Sequence, residues 1–163
     1  LPTLDMVGGN GAIITLDDDI GYDIDVIPTL IDQWRTRGYP PCVIANSYHE
    51  QRQPNGARIP GIQDDMLLEG FAGVLYAREA ITPDIHAHLV TGSRYPECRL
   101  SDDMVISAVL QRHGVPIHLS SRRLPMDIRF SHTDPNGLVN ATGRNEDDFS
   151  GYTACGKRVA AMV

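Results

Sequence analysis

Two groups of adjacent aspartates are the residues of this chain best suited to chemistry: Asp17-Asp18-Asp19 and Asp102-Asp103. Neighbouring carboxylates repel one another, and an enclosed site has to compensate them. A divalent cation does this, because hard ions such as Mg²⁺ take oxygen ligands and keep substrate phosphates as further ligands. The first group ends an apolar run, Ala12-Ile13-Ile14-Thr15-Leu16, whose length and β-branched content predict a buried strand over 12–17. Open α/β sheets bind ligands at strand ends, so these acids read as a metal–phosphate site. The plainer alternative is a solvated acidic turn between strand and helix. Asp102 and Asp103 follow Ser101 at the start of a predicted helix, where the macrodipole favours ionised carboxylates. They read either as a cap formed by Ser101 with two dipole-compatible acids, or as a general base and acceptor-hydroxyl ligand held at a helix end.

The elements that must position these acids can be traced along the chain. Gly8, Gly9 and Gly11 precede the first strand, whereas a Rossmann phosphate loop follows its strand, so that motif is rejected. Val26, Ile27, Leu30, Ile31 and Trp34 recur at one-face helical spacing. Asp23 or Asp25 can cap this helix, Pro28 sits in its first turn, and Gly38 ends it before Pro40 and Pro41. Cys42 to Ala45 reads as a second strand, and residues 47–62 as a long loop or loose hairpin. Gly70 and Gly73 interrupt an apolar run that continues through Val74-Leu75-Tyr76. This pattern predicts a bend or a close backbone approach to a ligand. A short helix over Arg78 to Ile81 is stopped by Pro83, and residues 84–99 read as loop or marginal helix. The helix from Ser101 to His113 turns Val105, Ile106, Val109 and Leu110 inward and stops at Gly114. Val115 to Leu119 is a third strand. A turn-rich stretch contains Asp134-Pro135-Asn136-Gly137, and Tyr152 to Met162 forms a terminal helix.

At 163 residues, the length predicts one domain, residues 1–163, with room for a real core. The formal net charge of -7 and the lack of a basic run exclude a nucleic-acid binder. Lys157 is the only lysine; the other cationic side chains are arginines, suited to phosphate or carboxylate. Cys42, Cys98 and Cys155 are odd in number and widely spaced, which argues against a disulfide framework and a structural zinc. A reducing, cytoplasmic setting is the default expectation. No stretch is apolar enough to span a membrane, and the start is not leader-like. Asn140-Ala141-Thr142 is a glycosylation sequon that matters only in a secreted chain.

Three segments, in order, carry a resemblance: "IITLDDDIGYDIDVIPTLIDQW", "LLEGFAGVLYAREAI" and "CRLSDDMVISAVLQRHGVPI". Together they resemble the core of GT-A-fold glycosyltransferases, which use nucleotide-sugar donors. The resemblance runs from about Ile13 to Leu119, with a weaker tail to about Leu138. It implies an α/β fold of GT-A type, a mixed sheet flanked by helices. It also implies metal-dependent transfer of a sugar from a UDP- or GDP-sugar to a hydroxyl on a carbohydrate or glycoconjugate acceptor. Asp17-Asp18-Asp19 matches the family's DXD motif. Asp17 and Asp18 would lie on the donor side, and Asp17 and Asp19 would hold Mn²⁺ or Mg²⁺. Such an ion bridges carboxylate and diphosphate and neutralises the leaving group. Gly70 and Gly73 match the family's glycine loop against donor sugar or acceptor. Asp102-Asp103 matches its second acidic motif. Asp103 would be the base of an inverting enzyme, and Asp102 would orient acceptor or sugar. His132 is the best placed by order for the family's C-terminal histidine metal ligand, and imidazole suits Mn²⁺.

Only Leu1 to Gly11 precede the DXD strand. The chain is therefore expected to be the C-terminal portion of such a domain, lacking the strand–helix units that bind the nucleotide base. Two rivals remain. "ITLDDDIG" also fits a haloacid-dehalogenase-like phosphatase, with Asp17 as nucleophile and Asp19 as acid/base. However, Tyr95-Pro96-Glu97-Cys98-Arg99 precedes the second acidic pair where that family has an apolar strand, and its phosphate-steadying lysine is missing. The other rival is an inactive or truncated GT-A module that only binds.

Overall fold

A computed structural model describes residues 6–17, 21–50, 58, 60–63, 66–99, 101–120 and 150–162. Its strands are β1 (Ala12–Thr15), β2 (Val43–Ala45), β3 (Tyr48–Glu50), β4 (Met66–Leu68), β5 (Val74–Ala77) and β6 (Ile117–Leu119). Its helices are α1 (Val26–Thr36), α2 (Pro83–Gly92), α3 (Asp102–Arg112) and α4 (Ser150–Ala160). The main sheet runs β1-β5-β2-β6; β5 is antiparallel to both β1 and β2, and β6 is parallel to β2. β3 and β4 form a separate antiparallel pair. This is the mixed, helix-flanked α/β architecture expected. No described helix is long and apolar enough to cross a membrane.

The sheet is apolar on both faces because its inner strands β2 and β5 carry hydrophobic residues at every position, and successive side chains point to opposite sides. Val43, Ala45 and Val74 face one cluster, filled by Ile85 and Leu89 of α2 and by Val105 and Val109 of α3. Ile44, Leu75 and Ala77 face the other, covered by Val26, Leu30 and Trp34 of α1. The buried stripe of α1 is narrower than its periodicity suggested. Ile27 and Ile31 are exposed, because a single helix lying on a short sheet buries one row of side chains.

Polar rungs fasten α3 to the strand β4. Asp103, Ser107 and Gln111 stand four residues apart, on one face of the helix. Asp103 Oδ1 accepts from the Gly70 N–H (3.0 Å), and Ser107 Oγ accepts from the Leu68 N–H (2.9 Å). The Gln111 side chain donates to the Met66 carbonyl (2.6 Å) and accepts from the Gln63 N–H (2.7 Å). The helix thus satisfies backbone groups that a neighbouring strand would otherwise pair.

Two expectations need correction. Pro83 starts a helix rather than only ending one: it occupies the first turn of α2, where it sacrifices no hydrogen bond, and Thr82 Oγ1 caps the Ile85 N–H. The stretch read as loop or marginal helix therefore opens with a regular ten-residue helix. The cysteines were misread as well. Cys98 and Cys155 form a disulfide, leaving Cys42 as the buried free thiol. Spacing rules fail here because the bridge joins a 3-10 turn (Pro96–Cys98) to α4, two elements brought together only by packing. Gly156, next to the bridge, allows this packing: a Cβ there would lie 2.1 Å from the Pro60 carbonyl oxygen.

The bond closes 57 residues of sequence, and chain entropy makes such a closure worth about 2–4 kcal/mol. Cys98→Ser is expected to lower the unfolding free energy by about that amount in a urea titration. Alkylation of the denatured, unreduced protein should label Cys42 alone, and labelling of all three cysteines would disprove the bond.

Candidate functional site

Strand alternation sends Ile13 and Thr15 to the α3 side of the sheet, and Asp17 follows at the same parity beyond the end of β1. Across from it, α3 begins at Asp102, and the 3-10 turn Gly70–Ala72 crosses between β4 and β5. Asp17, Gly70, Asp102 and Asp103 line one cavity of about 220 Å³. Four residues singled out in sequence, from three separate segments, therefore meet at one place. Gly73 closes the turn with φ +91°, a conformation that favours glycine; a Cβ there would meet Leu16 at 3.1 Å. It shapes the turn rather than lining the cavity. Asp18, Asp19 and His132 lie outside the described residues, as do Arg122, Arg123 and Arg129.

Capping does not account for the second acidic pair. The Ser101 side chain makes no cap hydrogen bond, and Asp103 turns to the Gly70 N–H instead. Burial pushes the Asp103 carboxyl up to about 7 from its ordinary 3.8. Burial is the largest cause of that value; Asp102, Asp17 and Glu69 contribute to it in the same direction, and the Gly70 hydrogen bond opposes them. Burial also raises the Tyr76 hydroxyl, with Asp103 and Asp102 adding to the effect and a hydrogen bond with Thr15 opposing it; the phenol stays neutral. A carboxyl that titrates near neutrality is matched to general-base work.

Several contributors carry no sequence signal. Tyr22 ties the two halves of the rim: its hydroxyl accepts from the Asp17 N–H (2.7 Å) and donates to the Phe71 carbonyl (2.6 Å). Asn46, at the end of β2, donates from its side chain to the Ala72 carbonyl (3.1 Å) and from its backbone to Gly73 (3.1 Å). Its buried Oδ1 takes no hydrogen bond. Ser47 donates to the Glu69 carboxylate. A tyrosine five residues after an aspartate, or an asparagine after a strand, is too common a pattern to single out.

Among the described residues that line the cavity, none is an arginine or lysine. Asp17, Asp102 and Asp103 thus share a partly buried space with no cationic side chain among its described lining residues, an arrangement whose repulsion a divalent ion would relieve. Among the described residues, no group of three or more His, Cys, Asp or Glu is arranged to hold a metal ion. Comparison with family models, curated proteins and solved structures gave no match.

The Asp103 titration sets a stability profile. Between about 3.8 and about 7 the folded state keeps a proton that the unfolded chain has released, so stability from this group falls as pH rises through that window and is level above it. Asp103→Asn removes the charge and keeps an acceptor for Gly70. It is expected to stabilise the protein by about 1–3 kcal/mol above neutrality, after allowance for partial solvent exposure. Thermal melts of the two proteins at several pH values would show this as a gap that closes toward acid. A gap of constant size would remove Asp103 as its cause.

Proposed function

We propose that this chain carries the catalytic part of a metal-dependent glycosyltransferase of GT-A type. The reaction moves a sugar from a nucleoside-diphosphate donor to a hydroxyl. What supports the reading is the convergence of Asp17, Gly70, Asp102 and Asp103 on one cavity, with Asp103 poised near neutrality.

In this reading Asp103 takes the proton of the acceptor hydroxyl as the oxygen attacks the anomeric carbon. The bond from that carbon to the diphosphate oxygen breaks, and the diphosphate leaves with the electron pair. Gly70 holds Oδ1 of Asp103, and no described residue donates to Oδ2, which is left for the incoming proton. Asp102, exposed beside it, orients the acceptor or the sugar. Asp17 lies across the cavity, its backbone fixed by Tyr22, and serves the donor and the ion. Mn²⁺ or Mg²⁺ held by Asp17, with Asp19 and His132 by the family pattern, would neutralise charge on the departing diphosphate. The remaining work is positioning and electrostatic stabilisation.

Calorimetric titration with UDP and GDP, with and without Mn²⁺, tests the donor side. Metal-dependent binding is expected, and its absence for both nucleotides would end the donor-site reading for this chain. With a donor established, Asp103→Asn is expected to reduce transfer at least about 100-fold, within the usual range for a lost general base. Unchanged transfer would reject the base assignment. Gly70→Ala separates positioning from folding. Its Cβ would lie 2.8 Å from Asp103 Oδ1, the movable end of a side chain. The variant should melt within a few degrees of the parent and lose kcat far more than donor affinity.

A further inference from the structure

The acids form only the rim of the cavity. Behind them the walls are Ile13, Tyr76, Ile81, Leu89, Ile106 and Leu110. Ile81, Leu89 and Leu110 are buried, and the Thr15 hydroxyl donates to the Val74 carbonyl (3.5 Å). The interior therefore offers mostly hydrocarbon. A sugar ring carries a hydroxyl on most of its carbons. Seating one here would strip water from groups that find no partner, a cost paid for each of them.

We propose that the acceptor is an alcohol with a compact apolar body, a short alkyl chain or a single ring, which fills this cavity and presents its hydroxyl to Asp103. The seat is a property of the cavity; the fate of the hydroxyl rests on the transferase reading. At roughly 30 Å³ for each water-sized group, the space of about 220 Å³ takes about seven non-hydrogen atoms. Apolar cavities of this order stay dry and admit apolar guests. The gradient from hydrocarbon floor to carboxylate rim orients the guest, because only its polar end gains by facing Asp17, Asp102 and Asp103.

The test is a series of n-alkanols from ethanol to decanol, measured by calorimetry or ligand-observed NMR on the whole chain without nucleotide. Affinity should rise about fourfold per methylene and level off near seven non-hydrogen atoms. Methyl glucoside should not compete. Ile106→Trp, which fills the space, should weaken hexanol binding at least tenfold with the circular dichroism spectrum retained. If that variant does not fold, the plateau in the parent protein decides. A flat series overturns the proposal, and so does a gain that continues through decanol, which signals adsorption to a surface. Failure here with metal-dependent nucleotide binding intact removes the acceptor class and leaves the transferase reading. Alkanol binding without any nucleotide binding leaves the apolar seat and removes the transferase reading, and with it the acceptor role.

Discussion

Asp103, Ser107 and Gln111 repeat every four residues along α3, and each engages backbone in or beside β4. Regular helices seldom satisfy a strand edge, because their own backbone groups are consumed internally. Here side chains do it, and the spacing of a helical face matches the backbone groups from Gln63 to Gly70. The N-terminus of α3, the turn after β4 and the start of β5 thereby hold one relative position. The cavity is the space this fastening leaves between α3 and the sheet. Asp103 is both the last rung and a rim acid, so one of the carboxyls at the cavity mouth is itself held by the scaffold.

That dual placement has an electrostatic cost. Asp17, Asp102 and Glu69 all bear on a carboxyl already desolvated by the helix–sheet packing. One hydrogen bond from Gly70 opposes them, and the balance leaves the carboxyl near neutrality rather than in the ordinary carboxylate range. Folding energy is supplied elsewhere: the two-sided apolar sheet, α1 on one face and α2 with α3 on the other. The orphaned Oδ1 of Asn46 under the same turn is a second local cost. Both costs sit within the segment that shapes the rim, as expected where geometry is selected over stability.

The parts that could be read from the sequence are those governed by local rules. Short apolar runs and the 3.6-residue period located β1, α1, β2, α3 and β6 to within a few residues, whereas β5, the strand between β1 and β2, was read only as an apolar run after a bend. Adjacent acids and paired glycines marked segments that meet in space, because such combinations seldom arise for packing alone. What was missed depends on contacts between distant segments. The Cys98–Cys155 bridge, the Tyr22 link across the rim and the rungs of α3 each join elements whose adjacency no spacing encodes. Pro83 was misjudged because one residue type marks both helix ends and helix starts, and only the Thr82 cap distinguishes them. The width of the α1 stripe was overestimated because periodicity reports which residues share a face, not how much of that face a small sheet can cover.

The Cys98–Cys155 bridge also alters what happens to this molecule when it is cut. A protease that severs any peptide bond between the two cysteines produces a two-chain protein, not two fragments. Both pieces keep their covalent connection until a reductant arrives. The helix bearing Asp102 and Asp103 stays with the N-terminal piece only if the cut falls after it, yet in either case α4 remains tethered beside the turn that precedes them. Nicking and separation are thus two distinct events for this chain. On a gel, the first would be invisible without reducing agent.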